Sequence, residues 1–268
     1  MAFSLSILLR STLASLRMAA GVYRSRLKTL AAKRQSVILM YHRIIDPANT
    51  DEYIEPGMFV NPSTFDMHLD LLTRFFTVVS LQEVLSSFNN IADKPFCAIT
   101  FDDGWRDFYD HAYPILKSRN LPATNFLATD YVGTSDWFWT DRLANILKKI
   151  SVAPCSSGEI KSDDILSKIG QLTGSLFFRI DSAIKMLKPL SQKQIQKILE
   201  ELERRHLSNE IANKRAFMNW DECRELKKSG LITFGSHTAQ HIILTAEDED
   251  VCRNDLQVSR NKLIEEKV

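Results

Sequence analysis

Two adjacent carboxylates, Asp102 and Asp103, follow an apolar run that extends from Pro95 to Ile99. A short apolar run is typical of a buried strand, and two acids at its end are costly unless they share a cation or a proton. Successive side chains of a strand point to opposite faces, but where the chain turns both carboxylates can face one cleft. The segment therefore predicts a site for proton transfer or metal binding, although an Asp-Gly pair alone could also be a simple turn.

Two histidines further along the chain offer complementary ligands. His237 and His241 follow a second apolar run, residues 231–234, and they are four positions apart, so that on a helical turn they would face one direction. One carboxylate and two imidazoles make a set of three ligands with an open coordination position, which is typical of a catalytic rather than a structural metal site. Either histidine alone could be a surface residue, so the hypothesis depends on both motifs together.

A third histidine, His42, stands at the end of the first apolar run, residues 37–41. Two interpretations are open for it. His42 could exchange protons on the same face as the carboxylates, or it could form a structural hydrogen-bonded pair with Tyr41. Two interpretations are also open for the aromatic residues 137–139, which could line a sugar-binding cleft or pack in the core.

The apolar runs alternate with helical patterns. The predicted strands are residues 37–41, 76–79, 96–101, 123–128 and 231–234, with a loop over 46–62. The predicted helices are 63–75, 81–88, 107–119, 219–228 and one that begins near 245, with further helical patterns across 138–215. This alternation predicts an α/β fold with a parallel sheet or barrel, in which the candidate groups stand at the carboxyl ends of strands, as in α/β-barrel active sites. The region 138–215 is longer than a crossover needs and predicts a helical insertion that could shape the substrate groove.

Composition limits the function classes. The 268 residues are 44% hydrophobic and 25% charged, with a formal net charge of +1. This size suits one large domain or two small ones, and the absence of a basic excess predicts that nucleic acid is not a partner. The four cysteines form no CxxC pair, which favours small buried hydrophobic residues over a disulfide framework or a thiolate metal site.

The N-terminal segment, residues 1–35, contains seven Lys or Arg and no acid. Its apolar stretch is too short and too interrupted for a transmembrane helix, and no charged region precedes it as in a secretory signal. The segment could be a basic amphipathic helix in peripheral contact with a membrane, a transit-like presequence or a frayed terminus. The compartment stays undetermined, with a cytoplasmic or peripheral membrane location favoured.

Residues 100–104 (Thr-Phe-Asp-Asp-Gly) and 236–241 (Ser-His-Thr-Ala-Gln-His) resemble two motifs of the polysaccharide deacetylase family, the NodB-homology group or carbohydrate esterase family 4. Residues 41–44 (Tyr-His-Arg-Ile) look like the N-terminal motif of its exopolysaccharide and poly-N-acetylglucosamine deacetylase branch. The resemblance covers residues 36–260 and predicts a deacetylase-like domain over 36–268. It implies a distorted (β/α) barrel of the NodB-homology type with seven strands.

The resemblance also implies roles for individual residues. Asp102 would be the general base, beside a divalent metal for which zinc is expected ahead of cobalt or nickel. The implied metal ligands are Asp103, His237 and His241. Thr238 would brace the histidine loop by a hydrogen bond, and His42 would serve as the acid. The implied reaction is metal-dependent hydrolysis of an acetamide C–N bond on an N-acetylated amino-sugar polysaccharide, with release of acetate.

Later motifs of the family are not found before Val268, including a Leu-x-His that supplies the acid. A parallel barrel that stopped there would leave an open edge, so we expect the barrel to be incomplete at its C-terminus. Two alternatives to the deacetylase stay open. One is a non-catalytic or truncated glycan-binding protein of the same fold, and the other is a related amide hydrolase or deformylase.

Overall fold

A parallel sheet of five strands brings the candidate groups together. The computed structural model describes residues 21–33, 35–50, 53–86, 93–150, 165–206 and 215–268. The strands are β1 (Val37–Tyr41), β2 (Arg43–Ile44), β3 (Phe59–Val60), β4 (Thr77–Val78), β5 (Phe96–Phe101), β6 (Ala123–Leu127) and β7 (Ile232–Ser236). The main sheet runs in the order β1-β5-β6-β7, with β4 also paired to β5, while β2 pairs with β3. All of these pairs are parallel.

The helices lie before, between and after these strands along the chain. They are α1 (Val22–Ala32), α2 (Pro62–Phe75), α3 (Leu81–Ser86), α4 (Tyr113–Ser118), α5 (Trp139–Lys149), α6 (Ile165–Gly170), α7 (Leu176–Leu187), α8 (Gln192–His206), α9 (Trp220–Lys228) and α10 (Glu249–Glu265). A π-helical turn, Phe108–Ala112, precedes α4, and Pro114 stands at the start of α4, where a missing N–H is tolerated. Across the described ranges, none of the helices combines the length and the apolar character needed to cross a bilayer.

The carboxyl ends of neighbouring strands lie opposite one another at one edge of the sheet. Tyr41, the last residue of β1, lies opposite Phe101, the last residue of β5. The last residues of β6 and β7 are also opposite each other. Because all five strands run in one direction, the residues that follow them lie along one edge of the sheet. Those residues include His42, Asp102 and His237.

The predicted α/β class with a parallel sheet is confirmed, and the five predicted strands are the five of this sheet. The loop predicted over 46–62 is wrong in part, because it contains β3 and a 3₁₀ turn at Pro47–Asn49. Strands of two residues are too short to leave a periodic apolar pattern, which is why the sequence did not predict them. Among the described residues the sheet is open, with β1 and β7 at the ends of its path, and barrel closure is not seen there.

Two separate cores support the architecture. One lies between the sheet and its helices and includes Phe65, Leu69 and Leu72 on the face of α2 that the spacing predicted to be apolar. The other is formed by α5 to α8, with Leu143, Leu187 and Leu199 fully buried. The helices predicted within 138–215 are therefore present and bury a core of their own, while residues 151–164 and 207–214 lie outside the described ranges.

The basic N-terminal segment is described only in part. Helix α1 occupies part of it, and residues 1–20 lie outside the described ranges. Peripheral membrane contact through residues 1–35 therefore stays a prediction.

Candidate metal centre

Asp103, His237 and His241 converge at the carboxyl edge of the sheet. Atom Oδ1 of Asp103 lies 3.4 Å from Nε2 of His237 and 3.3 Å from Nε2 of His241. One ligand atom from each residue falls within 4.8 Å of the others. Oδ1 of Asp103 is buried and has no hydrogen-bond partner among the described residues. Because a buried unpaired oxygen is costly, this oxygen and the two imidazoles fit a divalent cation that prefers nitrogen and oxygen ligands.

The turn after β5 aims Asp103 at the histidines. Asp103 and Gly104 both have left-handed backbone, with φ of 80° and 83°. Two consecutive left-handed residues reverse the chain abruptly, and the Asp103 side chain is only 3% exposed as a result. A Cβ atom added at Gly104 would lie 2.8 Å from Cδ2 of Leu127, so the turn needs glycine for both conformation and space.

We expect Gly104→Ala to lower the free energy of unfolding by about 2–5 kcal/mol, because left-handed backbone costs a residue with a Cβ about 1–2 kcal/mol and steric overlap adds about 1–3 kcal/mol. Urea denaturation would measure the change. Gly230→Ala is the matched control, since Gly230 has φ of 74° but nothing within 4 Å of an added Cβ. Equal losses in the two variants would contradict the role assigned to the Leu127 contact.

The histidine loop is not a helical turn. Thr238 and His241 have left-handed backbone, with φ of 67° and 54°, and residues 237–243 lie outside any helix. The expectation that helical spacing aligns the two histidines is therefore wrong. The loop is held instead by main-chain hydrogen bonds to the end of β6 and the residues after it, from His237 N to Leu127 O (2.9 Å) and from Thr129 N to Thr238 O (3.2 Å).

Thr238 supports this loop through its backbone. Its hydroxyl is buried and makes no hydrogen bond within the described part of the chain. The main-chain N–H of Thr238 instead donates to Oγ of Ser236 at 3.2 Å. The hydrogen bonds by which Thr238 braces the loop are therefore those of its backbone.

The electrostatics differ between the two adjacent carboxylates. Burial raises the pKa of Asp102 above its usual value, although the nearby His237 and His42 oppose this rise. Burial would also raise the pKa of Asp103, but His241, His237 and the indole of Trp105 together hold it below its usual value. Burial lowers the pKa of His237, which favours the neutral imidazole that a metal ion requires.

His42 stands beside this centre. The adjoining Asp102 N–H donates to Tyr41 O at 3.0 Å, which fixes the ends of β1 and β5 together. His42 lines a cavity of about 360 Å³ together with Asp103 and His241. The Tyr41 hydroxyl forms its hydrogen bond with Nδ1 of His68 (3.2 Å), so the structure does not support a structural Tyr41–His42 pair.

A network of side chains holds Asp103 from behind, and the sequence patterns did not predict it. Nε1 of Trp105 donates to Oδ2 of Asp103 at 2.8 Å. The Arg43 guanidinium lies 4.2 Å from the centre of the Trp105 ring, and its Nε pairs with Oδ2 of Asp107 at 2.7 Å. The network therefore fixes one carboxylate oxygen and leaves the other facing the histidines. Trp105 and Asp107 were close in sequence to the motif, but nothing in the sequence indicated their contact with Arg43.

The aromatic residues 137–139 belong mainly to the core. They are 7%, 2% and 3% exposed. Phe138 stacks on the His241 ring with centroids 4.0 Å apart, which limits the rotation of that ligand. Phe138 and Trp139 also line the cavity, and side chains of α7 form another part of its wall.

Asp141 is another acid that lines this cavity, and no pattern in the sequence indicated it. Burial raises its pKa to about 6, although Arg43 opposes the shift. Oγ1 of Thr140 donates to Asp141 at 3.2 Å. A carboxylate with a raised pKa in a cleft is a candidate for contact with a substrate hydroxyl or amine.

We expect Asp141→Asn to change the pH dependence of stability in the metal-free protein. Because the folded state holds its proton more tightly than the unfolded state, Asp141 costs stability as the pH rises from about 4 to about 6. The variant should remove about 1–3 kcal/mol of that decline, as measured by urea denaturation at several pH values. Asp136→Asn, an exposed neighbour, is the control, and identical profiles for both variants would refute the shift.

Parts of the chain are similar to known polysaccharide deacetylases. Residues 89–159 match the family described as polysaccharide deacetylase, a range that includes both carboxylates. The chain is 29% identical over 136 residues to poly-beta-1,6-N-acetyl-D-glucosamine N-deacetylase of Staphylococcus aureus, which covers 50% of this chain and 44% of that protein. It is 44% identical over 39 residues to the Staphylococcus epidermidis protein of the same description, a match that covers 15% of this chain and 14% of that protein. The chain thus spans less than half the length of these curated relatives.

A solved structure, the Streptococcus pyogenes deacetylase PplD in complex with acetate, aligns with 86% of this chain and 68% of its own, at 22% identity and a TM-score of 0.47. The protein described here has an α/β domain in which Asp103, His237 and His241, the candidate three-ligand centre, lie at the carboxyl edge of the sheet. Residues 89–159 carry its match to the polysaccharide deacetylase family, and the curated relatives it matches are poly-beta-1,6-N-acetyl-D-glucosamine N-deacetylases.

Proposed function

We propose that this domain hydrolyses the acetamide C–N bond of an N-acetylated amino-sugar polymer in a metal-dependent reaction that releases acetate. The observation that carries the proposal is the unpartnered oxygen of Asp103 facing two imidazoles, with Asp102 and His42 on the same strand edge. The family match over residues 89–159 and the similarity to poly-beta-1,6-N-acetyl-D-glucosamine N-deacetylases support the choice of substrate class.

Asp103, His237 and His241 are the proposed metal ligands. A divalent ion held there would lower the pKa of its water to about 7 and polarise the acetamide carbonyl. The donor set suits zinc and also accepts cobalt or nickel, since all three bind imidazole and carboxylate ligands. Trp105 and Phe138 restrict the movement of Asp103 and His241, so the ligands are arranged before an ion arrives.

Asp102 is the proposed general base. Its carboxylate follows β5 directly and is only partly exposed. The raised pKa that burial gives Asp102 makes its carboxylate a better proton acceptor than an ordinary aspartate. Asp102 accepts the proton that the attacking water loses as its oxygen bonds to the acetyl carbon.

His42 is the proposed general acid. It lines the cavity that also contains Asp103 and His241. When the C–N bond breaks, the leaving nitrogen needs a proton to depart as an amine. A protonated His42 supplies it, which leaves acetate and a free amino sugar as products.

The test is acetate release from an N-acetylglucosamine oligomer, with the metal content of the purified protein measured in parallel. We expect one bound metal per chain, acetate release, loss of both after chelation, and recovery on adding zinc back. An N-formylated oligomer serves as the second substrate. Formate release without acetate would favour the deformylase alternative, metal binding without either product would favour a non-catalytic glycan-binding domain, and no metal at all would refute the proposal.

A further inference from the structure

Helix α10 contacts the histidine loop through one buried carboxylate. Oδ1 of Asp255 accepts a hydrogen bond from the N–H of Ala239 at 2.7 Å, and Oδ2 accepts one from the N–H of Gln240 at 3.0 Å. These two N–H groups lie between His237 and His241 in the chain. Asp255 is only 6% exposed, so both oxygens work in a largely water-free environment, where hydrogen bonds to a charged acceptor are strong.

A second contact from the same helix reaches the start of the loop. Ser259 is fully buried, and its hydroxyl hydrogen-bonds to that of Ser236 at 2.7 Å. Ser236 also receives the main-chain N–H of Thr238. Because residues four apart in a helix share a face, Asp255 and Ser259 present one surface of α10 to the loop.

The loop has a conformation that needs such support. Thr238 and His241 both have positive φ without being glycine. Backbone of this kind costs about 1–3 kcal/mol per residue and persists only where the surroundings determine it. Asp255 fixes the two peptide groups between these residues, so it opposes relaxation of the loop.

We propose that Asp255 is a positioning residue that preorganises His237 and His241 for metal binding. The carboxylate does not belong to the three-ligand centre, and it acts through the peptide groups of Ala239 and Gln240. The inference rests on the proposed function only in requiring that the three-ligand centre binds a metal, and it makes no use of the chemistry on the substrate.

A purely structural role would have a different signature. If Asp255 only joined α10 to the sheet, its replacement would lower the free energy of unfolding without changing the metal affinity of the folded protein. If it positions the ligands, the affinity of the folded protein must fall and the loop must open more often. The two roles are separated by measuring both quantities.

The variant is Asp255→Asn, which keeps the size of the side chain but replaces one acceptor oxygen with an NH₂ group that cannot accept. We expect the dissociation constant for zinc, from competition with a chromophoric chelator, to rise by about 10–100-fold, as for other partners that orient metal ligands. We also expect faster hydrogen exchange at the amides of residues 239 and 240 in the metal-free protein. Circular dichroism would show that the variant is folded.

Asp250→Asn is the matched control, because it makes the same chemical change on an exposed side chain of the same helix. Its zinc affinity should stay within about twofold of the unmodified chain. Should Asp255→Asn fail to fold, Ser259→Ala provides the test, with weaker zinc binding and faster exchange at residues 237 and 238 expected.

Unchanged zinc affinity of the folded variant would overturn the inference whatever its amide exchange, as would an unmodified chain that binds no zinc. Acetate release is assayed separately on the unmodified chain. Metal binding without acetate release would contradict the proposed function while leaving the result for Asp255 fully interpretable.

Discussion

Asp102→Asn is expected to lower acetate release by about 10²–10⁴-fold, the contribution of a positioned general base, while zinc still binds. Asn keeps the shape of the side chain but cannot accept the proton that the attacking water must lose. Asp102 is outside the three-ligand centre, so its replacement leaves that centre complete. The loss should therefore appear in kcat, with the zinc content of the purified variant unchanged.

Asp110→Asn is a suitable control for this variant, because Asp110 is exposed and pairs only with the surface residue Arg106 among the described ion pairs. Its acetate release should be close to that of the unmodified chain. An Asp102→Asn variant that retains full turnover with its metal bound would show that another group takes the proton.

The edge of the sheet that carries these groups was predictable because strands leave a strong pattern. Apolar runs of five or six residues gave β1, β5 and β6 within one residue of their ends. Once the strands are parallel, their carboxyl ends must share an edge, so the placement of His42 and Asp102 on that edge was predictable, whereas their proximity depends on the pairing of β1 with β5 in the structure.

The helices were predictable in position but less so in orientation. Spacing placed Phe65 and Leu69 on the buried face of α2, and both are fully buried. Apolar spacing within the predicted helix 81–88 favours burial of Leu85 in the same way, but Leu85 is 54% exposed. Helix α3 is described over only six residues, and so short a helix need not bury its whole apolar stripe.

The details that shape the metal centre were not predictable, because they depend on contacts between distant segments. Left-handed backbone at Thr238 carries no signal in the sequence, since β-branched residues rarely adopt it. The contact of Asp255 with the loop spans 15 and 16 positions, and that of Arg43 with Asp107 spans 64. Only the folded chain places these groups together.

His237→Ala is expected to remove the bound metal and acetate release together. Loss of a residue that only hydrogen-bonds to a metal ligand weakens metal binding by about 10–100-fold. Loss of one of the three ligands themselves should weaken zinc binding by more than this. The substitution also leaves Asp103 facing only the imidazole of His241, whose Nε2 lies 3.3 Å from Oδ1 of Asp103. Chelator competition would give the affinity, and elemental analysis of the purified variant would give the metal content.

The matched control for this deletion is His206→Ala, because His206 is an exposed histidine at the end of α8. It should leave the metal content and turnover unchanged. A His237→Ala variant that retains one metal with unchanged affinity would place the ion elsewhere and refute the three-ligand centre.

The contrast between the two variants is more informative than either alone. Asp102→Asn should keep the metal and lose turnover, whereas His237→Ala should lose both. Burial lowers the pKa of His237, so its ring stays neutral to a lower pH than a free histidine would. Zinc binding by the unmodified chain should therefore persist as the pH falls through about 6.5, the usual pKa of a histidine side chain, and weaken only below it. Loss of zinc already above that pH would mean that burial does not keep His237 neutral, and His237 would then be a poor ligand in the folded protein.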